Sequence, residues 1–114
     1  MPEHLVVLMT TGSKEEAERI AETLVSEQLA ACVNLIRGVT SIYRWAGKTQ
    51  HDQEWLLLAK SRRDVLDGLL KRVQELHSYD VPEIIALPLA GGSEPYLHWI
   101  DQEVHGRSAA NDKE

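Results

Sequence analysis

His77, Tyr79, Asp80 and Glu83 fall within seven residues of one another. An imidazole and two carboxylates at this spacing could ligate a divalent ion of the zinc or copper type. The same residues also suit a helix end, with His77 stabilising the last turn and Glu83 paired to a lysine. Spacing alone leaves both open. Cys32 is the only cysteine, which excludes an internal disulfide and a cysteine-rich zinc site. A lone cysteine at the start of a strand reads first as a small apolar residue and only then as a nucleophile. No nucleophile elbow of the Gly-x-Ser-x-Gly kind is present. In Met9-Thr10-Thr11-Gly12-Ser13-Lys14 a Gly, a Ser and a Lys stand between a strand and a helix start, where an anion could rest. The spacing is not that of a P-loop, and helix capping alone accounts for Ser13. Glu54 and Lys60 bracket an apolar run. They are either strand-end charges in water or the lining of a cleft between subunits.

The elements that must position these groups can be read from hydrophobic periodicity. Leu5 to Met9 is a short unbroken apolar run and predicts a strand. Ser13 with Glu16 forms a capping box. Ala17, Ile20, Ala21, Leu24 and Val25 then follow a helical stripe to about Gln28. Cys32 to Trp45 favours extended backbone, with a bulge or bend at Gly38. Ala46-Gly47-Lys48 predicts a hairpin turn and Glu54 to Lys60 a third strand. Ser61 and Asp64 repeat the capping pattern before a stripe of Leu66, Leu69, Leu70, Val73 and Leu76. Pro82 blocks its continuation. Ile84 to Leu89 predicts a fourth strand. Ser93 and Pro95 open a short last helix through Tyr96, Trp99, Ile100 and Val104. One domain is expected over residues 1–104. The polar stretch 105–114 has no periodicity and is expected to be a disordered tail.

This order predicts an α+β fold, a ferredoxin-like βαββαβ sandwich with an antiparallel sheet. The first and third strands would be central and Pro88 would sit on an edge strand, where a missing amide donor is tolerated. The helices can cover only one face of such a sheet. The two central runs show no polar alternation, so the second face also needs a cover. No further segment is long enough to supply it. The second and third strands form a hairpin too long for the body, on the order of 40 Å at about 3.3 Å per residue. Tyr43, Trp45 and, across the turn, Trp55 are expected to anchor a neighbouring copy.

Composition narrows the function classes. The chain has 114 residues, 12 Lys plus Arg against 18 Asp plus Glu, and a formal net charge of −6. That balance argues against a nucleic-acid partner and against an anionic membrane surface. No apolar run approaches the roughly 18 residues of a membrane span. Met1-Pro2-Glu3-His4 lacks the basic start of a secretory signal, and with one cysteine this points to a cytoplasmic location.

Several motifs resemble one family. Ala30-Ala31-Cys32-Val33-Asn34, Gly38 to Tyr43, Trp45-Ala46-Gly47-Lys48, Tyr79 to Pro88 and Pro95-Tyr96-Leu97-His98-Trp99 are similar to the CutA divalent-cation-tolerance proteins, over about residues 5 to 104. The resemblance implies a tight homotrimer with hairpins packed on neighbours, similar in architecture to the trimeric PII signalling proteins. It implies a role in metal tolerance, copper above all. Metal candidates are then His77, Glu83, Met9 and Cys32. Met9 stands where a bacterial member has a first-strand cysteine. Of that member's two adjacent histidines, only His77 is kept, after Leu76. The resemblance also places Cys32, Lys60, His77, Tyr79 and Glu83 along an intersubunit cleft. The expected function is a non-enzymatic homotrimer for divalent cation tolerance, with copper or another divalent metal as its ligand and no organic cofactor. The alternative is a PII-like sensor or scaffold that binds a small anion, with Lys60 and Lys14 as its cations, and signals to a protein partner.

Overall fold

The computed structural model describes residues 3–105. Four strands and three helices follow the expected order: β1 (His4–Thr11), α1 (Lys14–Ser26), β2 (Cys32–Trp45), β3 (Lys48–Arg62), α2 (Leu66–Leu76), β4 (Ile84–Pro88) and α3 (Glu94–Glu103). The sheet runs β2-β3-β1-β4, with every neighbouring pair antiparallel. Strands 1 and 3 are central, as the two apolar runs required. No helix among the described residues is long and apolar enough to cross a membrane.

Local chemistry fixes the helix ends. The Ser13 side chain accepts the Glu16 amide and Ser93 accepts the Tyr96 amide, each capping its helix;. Helix α1 stops at Ser26, short of Gln28, which takes a left-handed φ of 60°. The proposed cap at Ser61 is not formed. Residue 61 is still in the sheet, because β1 pairs with β3 as far as His4 and Arg62. The Ser61 hydroxyl is buried and donates to the Leu29 carbonyl at 2.7 Å. A 3-10 turn at Arg63–Val65 then leads into α2 without a side-chain cap.

Side-chain alternation sets the core. Leu5, Val7 and Met9 of β1 and Leu57 and Ala59 of β3 point under α1 and α2 and are fully buried. All of these but Leu5 meet Ala17, Ile20, Leu24, Leu69, Val73 and Ile100 in one cluster. Each such burial contributes about 1.5–3 kcal/mol for a Val- or Leu-sized group. Val6 and Leu8, Leu56 and Leu58, Ile85 and Leu87 point the other way. No helix covers this outer face: Ile85 is 50% exposed, Leu87 49% and Ile36 43%. A soluble sheet with one wet face normally carries polar groups there.

The β2–β3 hairpin is longer than the apolar pattern indicates. β3 begins at Lys48, not Glu54, because polar residues 48–53 pair one by one with β2. Apolarity marks only the part of the strand that lies over the core. At Gly38 (φ 80°) the register shifts between Ile36 and Val39, a bulge that glycine permits;. Beyond Glu54 the arm leaves the body for about 20 Å, at roughly 3.3 Å per residue. The longest dimension of the protein is 46 Å. Tyr43 and Trp45 are exposed on this arm. Trp55 is not on it. It pairs with Thr11 at the end of β1 and packs partly buried against the core.

Past α3, the His105 amide donates to the Gln28 carbonyl at 3.2 Å, so this residue is held to the body. The expectation for 106–114 lies outside the described residues.

Candidate functional site

Where the arm leaves the body, the outer face becomes polar. Thr10, Ser41, Ile42, Tyr43, Trp45, Asp52, Glu54, Tyr79, Asp80, Val81 and Glu83 line an open cleft of about 600 Å³. Three parts of the chain meet here: the end of β1, the arm from Glu54 at its base to Trp45 beside its turn, and the loop from α2 to β4.

His77 pins that loop. It caps α2 and is buried. Its Nε2 lies 2.7 Å from the Thr10 carbonyl, and its Nδ1 accepts the Tyr79 amide at 3.0 Å. A carbonyl needs a donor and an amide needs an acceptor, so these bonds select the neutral Nε2–H tautomer. Glu16, buried on α1, accepts the Ser78 amide at 2.6 Å and the Ser78 hydroxyl at 3.1 Å. The Tyr79 ring leans on the imidazole, with centroids 4.7 Å apart. Its hydroxyl donates to buried Glu54 at 3.0 Å. A second phenol, Tyr43, donates to Asp52 on the arm.

Burial, then the hydrogen bond to Glu54, pushes the Tyr79 phenol up to about 12. The fold therefore favours the protonated phenol. Its contribution is complete below the ordinary value of 10 and is lost as pH climbs through about 12;. Urea unfolding at a series of alkaline pH values should show a decline across that window. Tyr79→Phe should make the decline shallower, and an unchanged slope would contradict the assignment.

Gly12 is explained by the same hydroxyl. A Cβ there would lie 2.9 Å from Tyr79 Oη, which is itself tied to Glu54. Gly12→Ala should cost about 1–3 kcal/mol of folding stability through this overpacking. Combining it with Tyr79→Phe should recover part of the loss in chemical denaturation.

The structure does not gather the four metal candidates. Met9 is fully buried on the inner face. Cys32 stands beside Lys60 on the outer face, two strands away and three rows along, roughly 14 Å from Met9 by sheet spacing;. Both nitrogens of His77 are already bonded within the protein. Glu83 is exposed at the cleft rim. Among the described residues, no three His, Cys, Asp or Glu side chains are placed to hold a metal ion. A divalent ion does not fit this donor set within one chain.

The expected ligand cleft is also divided. Tyr79 and Glu83 line the cleft with His77 behind them, while Cys32 and Lys60 are cross-strand partners at the far end of the outer face. Lys60 donates to Asn34. No basic residue lines the cleft, so neither Lys60 nor Lys14 can serve an anion there. Sequence reasoning did not assign Glu16, Thr10 or Asp52 to this region. Glu16 left one usable signal, a carboxylate beside Ala17 on the apolar side of α1. Thr10 and Asp52 left none, because their roles arise from sheet register.

A family model described as CutA1 divalent ion tolerance protein matches residues 5–103. The divalent-cation tolerance protein CutA of Thermus thermophilus is 54% identical over 95 residues, covering 83% of this chain and 92% of that protein. The chloroplastic protein CutA of Arabidopsis thaliana is 47% identical over 96 residues, covering 84% of this chain and 53% of that protein. The chain thus spans about half the length of its plant relative. The CutA1 structure from Oryza sativa superposes with a TM-score of 0.90 at 45% identity, covering 94% of this chain and 97% of that one.

Proposed function

The chain belongs to the CutA1 divalent ion tolerance family, and from that premise we propose that it supports tolerance of divalent cations as a non-enzymatic homotrimer. The uncovered outer face carries this proposal. Val6, Leu8, Leu56, Leu58, Ile85 and Leu87 form an apolar surface across all the central rows of the sheet. Burying it against other copies removes that surface from water, the main driving force of association. The hairpin arm, with exposed Tyr43 and Trp45, extends the contact to a neighbour. Tolerance then depends on the assembly and the clefts it completes, not on an ion cage within one subunit.

A PII-like sensing role has one supporting observation, the cleft itself. Its carboxylates and phenols suit a cationic or neutral ligand better than an anion.

A growth assay tests the tolerance role. Cells lacking this chain should grow less well under copper or zinc challenge, and the wild-type chain should restore growth. A Leu58→Glu chain that cannot assemble should not. Full rescue by a demonstrably monomeric chain would contradict the proposal, as would no difference on removing the chain.

A further inference from the structure

Strand parity puts Tyr43 and Trp45 of β2 on one face of the arm with Asp52 and Glu54 of β3, and all four line the cleft. Asp80 and Glu83 line it too. Tyr79 donates to Glu54 at 3.0 Å and Tyr43 donates to Asp52. A phenol satisfies a hydrogen-bonding site but cancels no charge. None of the four carboxylates has an ion-pair partner among the described residues. Lys48 shares this face of the arm but pairs with Trp45 at the turn, about 13 Å from Asp52 by strand rise;. Two residues of the cleft are buried yet incompletely bonded. Thr10 is 6% exposed and Glu54 8%. The Thr10 carbonyl accepts from His77, while the Thr10 hydroxyl has no hydrogen-bond partner among the described residues. Glu54 uses only Oε2. Neither free oxygen is sealed from solvent, and both residues line the cleft, so the opening they share is the cleft itself.

We infer that this cleft binds a small organic ammonium ion, with its charge on Glu54 and Asp52, a hydrogen bond to the Thr10 hydroxyl and its alkyl body against Tyr43, Trp45 and Tyr79. A carboxylate as buried as Glu54 is costly to keep charged without a cation beside it, and an ammonium group supplies that cation. Aromatic ring faces attract organic cations and also cover their apolar parts. A hydrated metal ion would make no use of three rings, and no three donors among the described residues are placed to hold one. An anion would meet four carboxylates and no balancing cation;. The cleft volume of about 600 Å³ falls within the range of roughly 300–1,000 Å³ usual for small-molecule sites. Tyr43 and Trp45 stay 42% and 63% exposed, so they keep surface for a neighbouring copy as well. The inference rests on the sensing reading above and deepens it by naming the ligand class. The tolerance role and the covering of the sheet face do not depend on it.

The test is calorimetric titration of the full chain with probes of one carbon-chain length and different charge: 1,4-diaminobutane, 1,4-butanediol and succinate. The diamine should give a saturable isotherm that weakens as salt is added, and the diol and the diacid should give none. Glu54→Gln keeps an acceptor for Tyr79 and removes the charge, so it should weaken diamine binding about tenfold or more. Asp52→Asn, on the arm and away from the core, should act in the same direction and serves if Glu54→Gln does not fold. Thr10→Val should weaken binding less than either. Asp67→Asn makes the same charge change on an exposed residue of α2, outside the cleft, and should leave the isotherm unchanged. Equal binding of diol and diamine, or an equal loss in Asp67→Asn, would overturn the inference. A Zn(II) isotherm lost in Glu54→Gln, with none for the diamine, would make the cleft a metal site and overturn it too. Saturable binding of succinate alone would overturn the ligand class and leave the sensing reading standing. No isotherm for any of the three organic probes would overturn both.

Discussion

Leu58→Glu should convert the assembled protein into monomers that remain folded. Leu58 lies mid-sheet on the outer face, in one row with Asn34, Leu8 and Ile85. In a single chain this face meets water, so a carboxylate there should cost the fold about 1 kcal/mol or less. In the assembly the same carboxylate would be buried without a partner, at about 3–5 kcal/mol per copy. Every copy carries the change, so the cost repeats at each contact. Light scattering should give the mass of one chain, and urea unfolding should give near-normal monomer stability. A Leu58→Glu protein that kept its assembled mass would show that another surface holds the copies together.

His77→Leu should lower folding stability by about 2–4 kcal/mol and leave metal binding where it was. The imidazole bonds the Thr10 carbonyl and the Tyr79 amide at once. Removing it strands a buried carbonyl and a part-buried amide, at about 1–3 kcal/mol for each such group. The loop carrying Tyr79 would loosen, and the Glu54 contact with it. His77→Gln, which can still donate to one of those groups, should fall between wild type and His77→Leu. Titration with Cu(II) and Zn(II) should give the same isotherm for wild type and His77→Gln, because the imidazole has no free nitrogen to offer. Loss of a saturable isotherm in His77→Gln, with stability unchanged, would restore His77 as a metal ligand.

Much of the fold was legible because it depends on local rules. Ser13 and Ser93 cap their helices as their spacing indicates, Gly38 carries the bulge, and the runs at Leu5–Met9 and Trp55–Ala59 form the central strands. The outer face was legible too, as apolar residues where a wet face would carry polar ones. Legibility failed where partners distant in sequence decide. Ser61 looks like a cap but is held in the sheet by pairing with β1. Trp55 looks like an arm aromatic but sits at the end of the core. The lower part of β3 is polar, and only pairing to β2 makes it a strand. His77, Glu83, Met9 and Cys32 share a chemistry on paper. Met9 and Cys32 nevertheless point to opposite faces of the sheet, a fact set by strand parity and register.

The outer face leads to one direct measurement, the mass of the purified chain by light scattering across a dilution series. Three copies of the 12.8 kDa chain, persisting on dilution and lost in Leu58→Glu, is the predicted result. A wild-type protein that stays at the mass of one chain at every concentration would contradict the account at its centre, since its apolar sheet face would then have to stand in water.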